Sequence, residues 1–209
     1  MYRRRQLVSL LIASITILTI SLTPVFAEKN QSQFNYLALG DSLAHGTQYD
    51  GSHGDGYADL IAKQLDELGM LEYFSKDFAK PGHTAAGVLA DIKENKEVKG
   101  VALQDLIASA DIITISAGVN DILRLIDLDT FSIDQAEIEE GLKGVKQNIE
   151  EIVKTINTMN ANADIYVMGY YNAFPYLPAD IQENIIIPIL SLLNDHIKQA
   201  SEATGATYV

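Results

Sequence analysis

Apolar residues fall along this chain in two alternating rhythms. Short runs that are apolar at most positions, residues 36–39, 73–79, 111–116 and 164–169, are separated by longer stretches in which apolar residues return every three or four positions. The runs predict strands, and "DIITIS" at 111–116 and "DIYVMG" at 164–169 have the composition of strands buried on both faces of a parallel sheet. The stretches predict amphipathic helices. Tyr57, Leu60, Ile61, Leu65 and Leu68 form one stripe that Gly69 stops, and residues 85–94 and 101–108 predict two shorter helices. The longest helix is expected over 132–160, with Ser132 and Gln135 at capping-box spacing and an apolar stripe running from Leu142 to Met159. Another is expected over 179–203, bent at Pro188, and residues 206–209 open a fifth strand. Strands that alternate with helices predict right-handed crossovers. The expected fold class is therefore α/β: a three-layer α/β/α sandwich around a five-stranded parallel sheet, flavodoxin-like in layout.

The first residues obey a different rule. Arg3, Arg4 and Arg5 precede an apolar run over 7–22, and Val25, Phe26 and Ala27 offer small residues before a cut, so residues 1–27 read as a secretory signal peptide and 28–209 as one domain. On this reading the protein is secreted and meets the membrane only in transit. The alternative is a retained N-terminal membrane anchor, since the run is long for a signal and short for a spanning helix. The chain has no cysteine, which excludes a lipid-modified cysteine anchor and leaves stability to burial alone. Its 15 Lys and Arg against 28 Asp and Glu give a net charge of −13. Cleavage would remove three arginines and no acid, taking −13 to −16. Such a surface argues against a nucleic-acid partner and favours solubility.

In a parallel sheet, ligands bind at the carboxyl ends of the strands. Three polar, glycine-containing segments fall there: "GDSLAHG" at 40–46, "KPGHTAAG" at 80–87 and "GVND" at 118–121. The first presents Ser42 at the exit of a buried strand. A serine hydroxyl becomes a nucleophile when a base takes its proton and donors hold the oxyanion that forms. The amides of Ser42 and Gly82 and the side-chain amide of Asn120 are three donors that would converge if these segments do. Taken singly, each residue is as well explained by turn or cap chemistry.

Together they resemble the SGNH hydrolases, also called the GDSL lipase and esterase family. Gly40-Asp41-Ser42-Leu43 is similar to the first block of that family, Gly82 stands for its second, and Gly118-Val119-Asn120-Asp121 is similar to its third. "GYYNAFPY" at 169–176 also looks like what secreted bacterial members carry after the fourth strand. The resemblance implies a serine ester hydrolase without cofactor or metal: Ser42 as nucleophile and Ser42, Gly82 and Asn120 as the oxyanion hole. Its substrates would be acyl esters, either lipids or acetylated glycans. Asp41 and Asp121 are expected to organise their loops, and His83, next to Gly82, to border the site and touch substrate. The serine elbow of the α/β-hydrolases is set aside, because the fifth residue of G-x-S-x-G is here Ala44 and Ser42 follows the first strand.

The base in that family is a histidine of an Asp-x-x-His block just after the fifth strand, and the sequence stops at Val209 without one. The expectation is an incomplete reading frame and a C-terminally truncated domain, inactive for want of its Asp and His, with sheet surface exposed that a last helix would cover. The other histidines offer no replacement: His45 shares a tight turn with Ser42, His196 sits among polar helix residues, and the Asp50/His53 pair has the spacing in the wrong loop. Two rivals remain. One is a catalytically dead lipid- or carbohydrate-binding module on the same fold. The other, a flavodoxin-like cofactor binder, is disfavoured because no segment offers a phosphate cradle.

Overall fold

The computed structural model describes residues 33–127 and 130–209. The expected signal peptide and its membrane-anchor alternative, at 1–27, lie outside the described residues. Five parallel strands form the sheet: β1 (Phe34–Gly40), β2 (Leu71–Ser75), β3 (Ile112–Ser116), β4 (Asp164–Val167) and β5 (Thr207–Tyr208). Their order across the sheet is β2-β1-β3-β4-β5. The chain moves one way from β1 to β2 and the other way thereafter, so the order reverses beside β1 and β3. That reversal leaves a crevice at their carboxyl ends.

The helices are α1 (Ser42–His45), α2 (Tyr57–Glu67), α3 (Ala85–Lys93), α4 (Leu103–Ser109), α5 (Val119–Leu123), α6 (Gln135–Met159) and α7 (Ile187–Thr204). Alternation along each strand divides them between two faces. Leu37 and Leu39 of β1, Ile113 and Ile115 of β3, and Ile165 and Val167 of β4 face the large cluster that includes α3, α4, α6 and α7. Tyr36 and Ala38 face the other way and pack on Ala58 and Ala62 of α2. The expected three layers are present. Helix α6 buries Ile138, Leu142, Val145, Ile149, Ile152, Val153 and Ile156 on one side. Each is worth about 1.5–3 kcal/mol of hydrophobic burial before conformational entropy opposes it.

Three element boundaries differ from the sequence reading. The second strand occupies Leu71–Ser75 rather than 73–79, because the chain turns at its end: Asp77 N donates to Ser75 Oγ (3.3 Å) and Ala79 N to the Lys76 carbonyl (2.9 Å). Ser132 does not cap the long helix. It lies in a two-residue ladder with Asp127, and Asp134 caps instead, accepting from Ala136 N at 2.8 Å and Glu137 N at 3.2 Å. The last helical region is not one helix bent at Pro188. A turn at Ala179–Ile181 passes into a π turn, Gln182–Ile186, and Pro188 sits in the first turn of α7, where its missing N–H breaks no bond.

On the α2 face, Tyr166 of β4 is half-buried, and Thr207 of β5 and Val209 just after it are exposed. No helix among the described residues is long and apolar enough to cross a membrane.

Candidate functional site

Strand β1 ends on Gly40, whose φ of +128° and closeness to β3 both demand glycine: a Cβ there would lie 2.0 Å from the Ser116 carbonyl oxygen. The next residue, Asp41, is fully buried. Its Oδ1 accepts from Leu43 N (3.0 Å), capping α1, and from Ser116 Oγ (3.0 Å), while Oδ2 accepts from the Tyr170 hydroxyl (2.6 Å). Burial raises the Asp41 carboxyl above its ordinary value, and the three donors pull it back down. Asp41 is thereby bonded to the first turn of α1, to β3 and to Tyr170.

Ser42 was expected in a loop and is instead the first residue of α1. Its carbonyl accepts from Gly46 N and Thr47 N, each at 3.0 Å. Its hydroxyl has no hydrogen-bond partner among the described residues, nor has its own amide, the free N–H of a helix start.

The other two segments are tied to this turn and to each other. Lys80 N donates to the Gly40 carbonyl (2.9 Å), which seats the second segment against the first. Asn120, in α5, donates from Nδ2 to the His83 carbonyl (2.9 Å), Arg124 Nη2 donates to the Gly82 carbonyl (2.8 Å), and Ala85 N donates to Asp121 Oδ2 (2.8 Å). Convergence of the three strand-end segments is thus a physical fact of the fold. Gly82 has φ +75° and open space around it, and its N–H is unpaired among the described residues. The Asn120 amide keeps a second hydrogen beyond the one given to His83. Burial also raises the Asp121 carboxyl, against the pull of Ala85 N.

The histidines are placed elsewhere. His83, expected to touch substrate, is not among the residues that line the cavity beside Ser42. Its ring packs against Gly87 and lies 3.5 Å from Asp91 Oδ2, and its Nδ1 is buried with no hydrogen-bond partner among the described residues. Burial lowers its pKa. His45 Nδ1 pairs with Thr47 Oγ1 (3.0 Å), and its ring meets the edge of His53, centroids 4.6 Å apart. Asp50 binds Ser52 twice through Oδ1, so Asp50 and His53 form no relay. His196 Nδ1 meets the Leu192 carbonyl on α7. None of these rings is hydrogen-bonded to Ser42. Among the described residues no group of three or more His, Cys, Asp or Glu is placed to hold a metal.

Beside Ser42 and Asn120 lies a cavity of about 230 Å³. Leu43, Val119, Ile122, Leu123 and Ile126 form one wall. Ile186 of the π turn and Ile189, Leu190 and Leu193 of α7 form another, and the segment from Tyr170 to Phe174 closes the third. In the sequence this segment shows only a likeness to what secreted bacterial family members carry after the fourth strand, and no role as a cavity wall. It is held by Asn194, whose amide exchanges two 2.8 Å bonds with the Tyr170 backbone, and by Gln182, which binds the Phe174 carbonyl and accepts from Asn172 at 2.8 Å. The sequence signal was a polar Asn or Gln on an otherwise apolar helix face.

The family model of the GDSL-like lipase/acylhydrolase family matches residues 38–209. The Bacillus subtilis (strain 168) protein YpmR is 24% identical over 156 residues, 74% of this chain and 58% of YpmR. The chain thus matches little more than half the length of that relative. The spore germination lipase LipC of Bacillus licheniformis is 24% identical over 172 residues, 80% of this chain and 75% of LipC. The structure of the lipase Lip_vut3 from a goat rumen metagenome superposes with a TM-score of 0.66 at 23% identity, over 85% of this chain and 80% of that one. That likeness establishes the fold.

Proposed function

The chain belongs to the GDSL-like lipase/acylhydrolase family, and on that premise we propose that it is a secreted ester hydrolase with Ser42 as its nucleophile. One observation carries the reading. The Ser42 hydroxyl, without a hydrogen-bond partner among the described residues, stands at the carboxyl end of β1 on the wall of an apolar cavity that it shares with Asn120.

The Ser42 oxygen attacks the acyl carbonyl, and its proton passes to a general base. The negative charge that develops on the former carbonyl oxygen is met by the amides of Ser42 and Gly82 and by the free hydrogen of the Asn120 side chain. Such donors are worth about a hundredfold to a thousandfold each. The C–O bond to the alcohol then breaks, the alcohol leaves with the proton, and water releases the acid from Ser42. Asp41 stays beneath the turn as its organiser, since its oxygens are taken by Leu43, Ser116 and Tyr170.

The base is assigned to an Asp-x-x-His segment following β5, by the family resemblance. The test is covalent labelling by an alkyl organophosphonate, with hydrolysis of a nitrophenyl ester, by the 209-residue chain and by the chain carrying such a segment after Val209. Labelling of Ser42 in the extended chain is the expected result. An extended chain that folds, yet neither labels nor hydrolyses, overturns the reading.

The apolar cavity beside Ser42 also fits a second reading: a binding module that holds lipid or carbohydrate without cleaving it. Ligand binding unchanged in Ser42→Ala, together with inertness of the extended chain, would support it.

A further inference from the structure

The walls of the cavity beside Ser42 restrict what it can hold. Its side chains are apolar apart from Ser42, Asn120, Asn172 and the tyrosines. Most of those polar groups are already engaged within the protein. The Asn172 amide donates to Gln182 Oε1 and its oxygen accepts from Phe174 N, while the Tyr170 hydroxyl is spent on Asp41. Tyr171 is mostly exposed, at the rim. A sugar ring placed here would lose its water and find too few partners, at a cost that buried hydroxyls do not recover. A hydrocarbon chain has no hydrogen bonds to lose by entering, and gains from leaving water. The polar functions left over, the Ser42 hydroxyl and the second Asn120 hydrogen, lie where Ser42 and Asn120 meet the wall.

The length follows from the volume. A methylene fills about the space of one water in the liquid, on the order of 30 Å³, so a cavity of about 230 Å³ takes six to eight carbons. The walls are also fixed in place: the Asn194 and Gln182 bonds pin the Tyr170–Phe174 segment to α7 and to the π turn.

We infer that this cavity is the binding site of a medium-chain acyl group, six to eight carbons long, seated with its carbonyl at Ser42 and Asn120 and its tail between α5 and α7. The assignment to the acyl rather than the alcohol side rests on the Ser42 reading, because only the acyl group remains joined to Ser42 after the alcohol has gone. An acetyl group would leave most of the cavity empty, and a sixteen-carbon chain would overrun it.

The test separates the cavity from the chemistry. Ser42→Ala of the 209-residue chain is titrated calorimetrically with acetate, butanoate, hexanoate, octanoate and hexadecanoate, the last below its micellar concentration. Affinity should rise about fourfold per buried methylene, reach a maximum at hexanoate or octanoate and gain nothing at hexadecanoate. Leu190→Trp, at a half-buried wall position, should move the maximum to shorter acids. Should that variant fold poorly, Ala173→Trp at the exposed rim should weaken octanoate binding without touching the core. Equal affinity across the series, or strongest binding of acetate or hexadecanoate, overturns the inference. In the chain extended after Val209, hydrolysis of acetyl esters as fast as octanoyl esters overturns it too while leaving the Ser42 reading intact. Failure of that chain to hydrolyse any ester, beside retained octanoate binding, overturns the Ser42 reading and leaves the cavity's preference standing.

Discussion

The Tyr170 hydroxyl donates to Asp41 Oδ2 at 2.6 Å, across 129 residues of sequence. This bond couples the wall of the cavity to the turn that presents Ser42. Tyr170→Phe removes a donor from a buried carboxylate and should cost about 1.5–3 kcal/mol in urea unfolding at pH 7. Combination with Asp41→Asn should cost less than the sum of the two. The Asp41 pKa is raised in the folded state by burial, so its ionised form opposes folding and its protonated form does not. The Tyr170→Phe penalty should therefore shrink as pH falls through the folded Asp41 value. A penalty that is constant with pH would show that the bond does not act through the Asp41 charge.

Asn120 ties the second segment through the His83 carbonyl and keeps a second amide hydrogen, which the proposed mechanism gives to the oxyanion. Asn120→Ala should lower kcat of the hydrolytically competent chain about a hundredfold to a thousandfold with a smaller change in KM. Ser42→Ala should abolish turnover and leave unfolding within about 0.5 kcal/mol, since the hydroxyl has no partner among the described residues to lose. An Asn120→Ala chain that loses only stability would assign the residue to architecture alone.

Two glycines at strand-end positions should respond very differently to a methyl group. Gly82→Ala meets only the strain of φ +75°, with nothing within 4 Å of its Cβ, and should cost about 1–2 kcal/mol. Gly40→Ala would press its Cβ against the Ser116 backbone and separate β1 from β3, at a cost above about 4 kcal/mol or with loss of folding. Thermal melts of the two variants decide this, and similar melting temperatures would contradict the close approach.

Burial holds the His83 imidazole below its ordinary pKa, with Asp91 pulling the other way and Lys80 reinforcing the shift. A depressed histidine contributes stability that is fully present above the ordinary value near 6.5 and is lost as pH falls through the folded value. Urea midpoints should therefore decline below about pH 6.5, and His83→Gln should flatten that decline. His45 is shifted the same way, by burial and by His53, and should add to the decline. An unchanged slope in His83→Gln would move the effect to other groups.

Much of the fold was written in local periodicity. A run such as "DIITIS" is buried on both faces wherever it lies, and the stripe from Leu142 to Met159 selects one side of a helix before any partner is known. Crossover handedness then leaves few arrangements of five parallel strands, so the three segments carrying Ser42, Gly82 and Asn120 were bound to gather at one edge. Boundaries were less legible where two local rules competed. Ser132 has capping-box spacing to Gln135, yet the Asp134 carboxylate directly before the helix takes the amides. What the sequence alone determined was thus the layers, the strand-end placement and the identity of the three segments. Only the tertiary structure decided that Tyr170 reaches Asp41, that Asn194 and Gln182 pin the cavity wall, and that the His83 ring faces Asp91 instead of the cavity. Those pairings join residues far apart in the chain, and a side chain's distant partner depends on how whole layers pack, which no local period encodes.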